Sequence, residues 1–140
     1  MGRILAIDYG KKRTGIAVTD PLQIIANGLT TVPTHELEKF LTDYTQKESV
    51  ELFVLGLPMQ PNGQPSENQP RIKQFAERIK KILPHISVVF HDERFTSVLA
   101  HQTMIDGGLK KKKRQDKGLV DEISATIILQ SYMEQKRLGF

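Results

Sequence analysis

Short β-branched runs with polar breaks between them fill the first third of the chain. Residues 3–8 and 15–20 are two such runs, joined by a polar segment containing Gly10, and they read as an antiparallel pair of strands. Residues 24–32 read as a third strand, bulged at Asn27 and Gly28 and stopped by Pro33. After Pro33 the period changes. Leu37, Phe40, Leu41 and Tyr44 recur at i, i+3, i+4 and i+7, one face of a helix over 35–48. Thr34 stands where a cap belongs. Leu37 occupies the position where a capping box needs Glu or Gln, while Glu36 and Glu38 suit the electropositive first turn. Residues 51–56 form a continuous apolar run ended by Gly56, the pattern of a strand buried on both faces.

The segment 57–70 holds four Pro and one Gly and reads as a loop. Ile72, Phe75, Ala76, Ile79 and Leu83 make one stripe of a helix over 71–83, and Pro84 ends it. Residues 86–90 read as another buried strand, 96–106 as a helix, 107–117 as a loop and 118–136 as a last helix. The order β-β-β-α-β-α-β-α-α predicts an α/β fold. Three antiparallel strands followed by β-α units build a mixed five-stranded sheet flanked by helices. Ribonuclease H-like proteins share this order with the nucleotide-binding lobes of actin-like ATPases and sugar kinases. Order alone therefore narrows function without choosing it.

At 140 residues the chain fits one domain around one core. With 39% hydrophobic and 26% charged residues, it is not a fully disordered chain. The absence of Cys excludes a disulfide scaffold, thiol catalysis and Cys-ligated zinc. The four His residues (His35, His85, His91, His101) never share the i,i+4 spacing of a helical metal site. No apolar run approaches the roughly 18 residues of a membrane helix. The first apolar run ends in Asp8, unlike a signal peptide. The expectation is a cytoplasmic protein with no membrane partner.

Charge adds a positive clue. Twenty Lys and Arg against sixteen Asp and Glu leave +4, and residues 110–117 hold six of the twenty bases. Lys11, Lys12 and Arg13 form a second knot. Clustered bases fit a polyanionic partner such as nucleic acid, although such a run also reads as a solvated loop.

Three groups of acids are candidates for chemistry: Asp8 closing the first strand, Asp92 and Glu93 after the strand at 86–90, and Asp121 with Glu122 opening the last helix. Ligands of α/β sheets collect beyond the carboxyl ends of the parallel strands, where Asp8 and Glu93 fall. Asp121 heads a stripe of Ser124, Ala125 and Ile128, while Glu122 heads one of Ala125, Thr126 and Leu129. Converging carboxylates suit phosphodiester hydrolysis. That reaction needs an activated water and a neutralised leaving oxygen, which two Mg²⁺ or Mn²⁺ ions about 3.5–4 Å apart supply. Such hard ions take oxygen ligands. Each acid also has a plainer reading: Asp8 as a turn residue, Glu93 as a solvated acid beside Arg94, Asp121 as a helix N-terminal acid. The hairpin from Asp8 to Gly15 is similar to the phosphate-holding hairpin of actin-like ATPases, but 140 residues supply a single lobe and no Walker motif is present. His91 reads as a metal ligand, a general base or simply a half-buried strand-end residue.

At this point a family resemblance becomes specific. Asp8-Tyr9-Gly10, Lys12-Arg13 and the run from Gly15 to Asp20 resemble the opening signature of the YqgF-type pre-16S rRNA nucleases, relatives of the RuvC Holliday junction resolvases. Gly56-Leu57-Pro58 with Asn62-Gly63 resembles the second motif of that family, and Asp92 to Ser97 the third. Val120 to Ala125 and Ile127 to Gln130 resemble its last helix. The motifs occur in the family's order and span the chain. The resemblance implies a ribonuclease H-like fold in one domain over 1–140, a bacterial cytoplasmic setting, and a nuclease that matures the 5′ end of 16S rRNA during ribosome biogenesis. By matching motifs, the family's acidic positions fall on Asp8, Glu93 and Asp121, the trio already singled out.

Taken together, these readings give a metal-dependent hydrolase acting on phosphodiester bonds. Asp8, Glu93 and Asp121 serve as catalytic residues and as ligands of Mg²⁺ or Mn²⁺. Lys12, Arg13 and Arg94 contact backbone phosphates, and Lys110, Lys111, Lys112, Lys113 and Arg114 grip the flanking nucleic acid. The expected partner is an rRNA precursor. The rival readings are a resolvase of four-way DNA, which would work as a homodimer, and a non-catalytic rRNA-binding module. The expected assembly is a monomer or a homodimer.

Overall fold

The computed structural model describes residues 2–58, 66–92 and 117–137, with the side chains of the last helix described from Glu122 onward. The early alternation becomes three strands, β1 (Arg3–Tyr9), β2 (Arg13–Thr19) and β3 (Ala26–Pro33). β1 and β2 pair antiparallel, with Ala6 opposite Ala17 and Asp8 opposite Gly15. β2 and β3 also pair antiparallel. The bulge lies just beyond its expected place: Ile16 faces Thr30 and Ala17 faces Gly28, so Leu29 is the extra residue. The third strand also starts two residues later than expected. The Asp20 carboxylate accepts hydrogen bonds from the backbone N–H groups of Leu22, Ile24 and Ile25 at 3.1, 2.8 and 2.8 Å, and this holds Ile24 and Ile25 in the connection before the strand.

A short 3-10 turn (Thr34–Glu36) leads into α1 (Leu37–Lys47), followed by β4 (Val50–Leu57), α2 (Gln69–Ile82), β5 (Ser87–Asp92) and α3 (Lys117–Arg137). Thr34 does not cap the helix. No side chain caps either the 3-10 turn or α1, because the Thr34 hydroxyl bonds the β1–β2 hairpin instead. Pro70 lies inside the first turn of α2, where a missing N–H costs nothing. The helix expected at 96–106 and most of the loop expected at 107–117 fall outside the described residues.

The sheet order is β3-β2-β1-β4-β5, with β1 parallel to β4 and β4 parallel to β5. β4 is buried on both faces as its apolar run predicts: Phe53, Val54 and Leu55 have no exposure. β5 departs from expectation. It is an edge strand, paired on one side only among the described residues, and Phe90 is 40% exposed.

Alternation divides the core between the two faces. Leu5, Ile7, Ile16, Phe53 and Leu55 pack with Leu37 and Leu41 of α1 and Ile72 and Phe75 of α2. Ile4, Ala6, Ala17 and Val54 pack with Ala125, Ile128 and Leu129 of α3. Each large apolar side chain fully withdrawn from water contributes about 1.5–3 kcal/mol. On the second face, alanines on both partners let the helix lie close to the sheet. The same alternation sends Asp8, two residues beyond Ala6, to the α3 face, and Tyr9 to the α1/α2 face.

Candidate active site

Asp8 is half-buried, one residue from the end of β1, at the carboxyl end of the three parallel strands. Gly15 lies opposite it on β2. On the other side Ile7 pairs with Leu55, so the next step along β4 is Gly56, and Gly56 pairs with His91 of β5. The row across this end of the sheet therefore reads Gly15, Asp8, Gly56, His91. The positions directly beside Asp8 on both neighbouring strands are therefore glycines, which place no Cβ there. Gly56 does not end its strand, which runs on to Leu57.

The hairpin that follows Asp8 is clamped from two directions. A Cβ on Gly10 would meet the Arg13 carbonyl oxygen at 2.2 Å, so only Gly fits this turn. The Thr34 hydroxyl donates to the Gly10 carbonyl at 2.7 Å and lies 2.9 Å from the Thr14 hydroxyl. The Thr34 N–H donates to the Lys12 carbonyl at 2.9 Å. From the start of α2, the Asn68 amide donates to the Tyr9 carbonyl at 2.8 Å, and the buried Gln69 amide donates to the Pro58 carbonyl at 3.0 Å. The exits of β1 and β4 are thus fixed by the same helix turn. Each such bond contributes roughly 0.5–1.5 kcal/mol and, more to the point, fixes the backbone that carries Asp8. Lys12 is exposed at the hairpin tip, and Arg13 opens β2 half-buried.

His91 is 5% exposed, on the α3 face of β5. Its Nε2 lies 2.8 Å from the Ser131 hydroxyl, and its ring meets Tyr132 edge-on. Burial pulls its pKa below the ordinary histidine value, opposed by the neighbouring Asp92 carboxylate. The neutral ring ties β5 to α3. Among the described residues no three His, Asp or Glu side chains gather into a metal cage.

The expected stripe does dock on the sheet: Ser124, Ala125 and Ile128 are buried. Asp121 lies in the second turn of α3, one turn before Ala125. The Glu122 carboxylate rests over Gly28 of β3, where a Cβ would come within 2.8 Å of its oxygen, so β2 stands between it and β1. Glu93, Arg94, Lys110, Lys111, Lys112, Lys113 and Arg114 lie outside the described residues, as does the side chain of Asp121. Of the acidic trio, the structure places the carboxylate of Asp8. The clamp residues Thr34 and Asn68 escaped the sequence reading. Thr34 carried a signal, a hydroxyl before a helix, which pointed to a different role.

The model of the family described as "RuvX: Holliday junction resolvase" matches residues 2–135. This chain belongs to the RuvX family. A RuvX relative from Bacteroides fragilis is 66% identical over 138 residues, covering 99% of this chain and 100% of the relative. One from Phocaeicola vulgatus is 67% identical over 137 residues, 98% of this chain and 99% of its own. One from Flavobacterium johnsoniae is 61% identical over 137 residues, again 98% and 99%. All three bear the name "Putative pre-16S rRNA nuclease". Among solved structures, Thermus thermophilus RuvC in complex with a Holliday junction substrate superposes with a TM-score of 0.63 at 14% identity, covering 98% of this chain and 96% of RuvC. That likeness establishes the fold of this RuvX chain as ribonuclease H-like, as its strand order and motifs predict.

Proposed function

We propose that this chain is a metal-dependent nuclease, a hydrolase of phosphodiester bonds, that acts in the cytoplasm on the 5′ end of the 16S rRNA precursor during ribosome biogenesis. The observation that carries the reading is the Asp8 carboxylate between Gly15 and Gly56 at the carboxyl end of the parallel strands. It occurs in a chain 66% identical, over nearly its whole length, to a relative bearing that nuclease name. The whole of 1–140 acts as a single nuclease domain.

Asp8, Glu93 and Asp121 form the catalytic set. A carboxylate at the carboxyl end of the parallel strands, with glycines at the adjacent strand positions, suits a hard, hydrated cation, so these three residues would hold Mg²⁺ or Mn²⁺. Bound there, the metal supplies an activated water and offsets charge on the leaving oxygen. The chain's own contribution is position: the Thr34 and Asn68 bonds fix the hairpin that follows Asp8. Lys12, Arg13 and Arg94 contact backbone phosphates around the cut, and the run from Lys110 to Arg114 grips the flanking strand.

A second reading, a resolvase of four-way DNA, is favoured by the family's description. One experiment separates the readings. The purified chain is incubated with labelled 16S rRNA precursor, four-way DNA and single strands, each with Mg²⁺, Mn²⁺ or chelator. Metal-dependent cleavage of the precursor is expected. Symmetric cleavage of the junction by a stable dimer would favour the resolvase. Tight RNA binding without turnover under any metal would sink both and leave a binding module.

A further inference from the structure

Alternation at the end of β1 gives the hairpin two chemically different sides. Asp8 faces α3, whereas Tyr9 turns to the α1/α2 face. On that second side a groove of about 660 Å³ runs between the hairpin tip, the start of α1 and α2. Its floor is aromatic: Tyr9 packs on Phe75 with ring centroids 5.1 Å apart. One wall is the Arg78 guanidinium, fixed by Glu38 at 2.6 Å and by its place 5.9 Å from the Phe75 centroid. Lys11 and Lys12 line the rim and are exposed. Three cations, Lys11, Lys12 and Arg78, against the single carboxylate Glu38 leave the groove two charges positive.

An aromatic floor under a cationic rim is the composition that binds single-stranded nucleic acid. Phosphates sit on the cations, and an unpaired base offers its face to the ring, which a base inside a duplex cannot do. We propose that this groove is a second nucleic-acid subsite for a single-stranded flank of the substrate, with a phosphate on Lys11 and Lys12 and one base against Tyr9. The strand then passes over the hairpin tip, from the Asp8 side of the sheet to the opposite side. The proposal rests on the nuclease reading for the identity of the strand, but its binding chemistry is independent of cleavage.

The test uses the full chain carrying Asp8→Asn and two probes of equal length, a fluorescein-labelled single-stranded RNA and its abasic counterpart, titrated by anisotropy. The RNA should bind at least about fivefold tighter than the abasic strand, the low end for one stacked base. Adding Tyr9→Leu, which keeps an apolar side chain on Phe75, should erase that preference. Adding Lys11→Gln, at an exposed position that does not endanger folding, should weaken both probes and reduce the salt slope by about 0.7. Equal affinity for the two probes overturns the base contact and reduces the groove to an anion site. Unchanged affinity and salt slope in Lys11→Gln overturns the groove altogether. Cleavage by the unsubstituted chain is measured in parallel. If it cuts while the groove substitutions bind normally, the groove falls and the nuclease stands; if it never cuts while they bind as expected, the reverse holds.

Discussion

Asp8 owes its position to a simple rule of strands, that every second residue faces the same way. Ile4 and Ala6 bury under α3, so the next residue in the series emerges on that face at the end of the strand. Glycines stand beside it on both neighbouring strands. Asp8→Asn keeps the size of the side chain and removes a charged oxygen donor. Cleavage of rRNA precursor should fall by at least about 100-fold, on the scale of losing a principal electrostatic element, with the melting curve preserved. Near-normal cutting would remove Asp8 from the mechanism. Gly10→Ala tests the clamp. Its new methyl would lie 2.2 Å from the Arg13 carbonyl, so the turn must shift. The urea midpoint should drop by the equivalent of about 1–3 kcal/mol, the usual cost of overpacking. Asp8 was legible in the sequence because strand alternation is local. The partner of Thr34 was not. A hydroxyl before a helix looks like a cap, yet this one bonds Gly10, 24 residues earlier, and no local pattern encodes that distance.

At the scale of elements, similar apolar runs met different fates. Residues 51–56 and 86–90 both read as buried strands, and among the described residues only β4 of the two lies between two neighbours. An apolar run reports that a strand can be buried, not how many strands flank it. That depends on pairing between segments far apart in sequence. The edge strand β5 compensates by tying itself to α3 through His91 and Ser131. This tie sets a pH dependence. Burial holds the folded-state pKa of His91 below its unfolded value near 6.5. As pH falls below about 6.5 the unfolded chain takes up the proton first, so the unfolded state gains. The stability His91 contributes is therefore complete above that pH and is lost as pH falls through the folded pKa. Thermal melts from pH 7.5 to 5 should show this decline, and His91→Gln should flatten it. An equally steep decline in the variant would place its origin elsewhere.

For the whole molecule, charge was the coarsest signal and strand order the most informative. Order led to the mixed sheet because three local hairpin strands and two β-α units leave few ways to build one sheet. It could not show that Glu122 lies over β3 rather than beside Asp8, since neighbouring helix positions differ by only 100° and the helix's crossing of the sheet decides between them. The basic run makes a prediction on this scale. Replacing Lys110 to Arg114 with Gln should weaken nucleic-acid binding whatever the sequence, and should flatten log K against log salt by roughly 0.7–0.9 per lost phosphate contact. Wild-type affinity and slope after substitution would mean that the run is a solvated loop. The division of the core between two faces also imposes a timetable on synthesis. Ile4, Ala6, Ala17 and Val54 leave the ribosome early, but the helix that covers them spans Lys117–Arg137. Until that helix is made, a sheet formed by the earlier strands would have one face covered by α1 and α2 and its other face exposed to water. Completion must wait until α3 clears the exit tunnel, and a message cut short before Lys117 would yield a chain prone to aggregate.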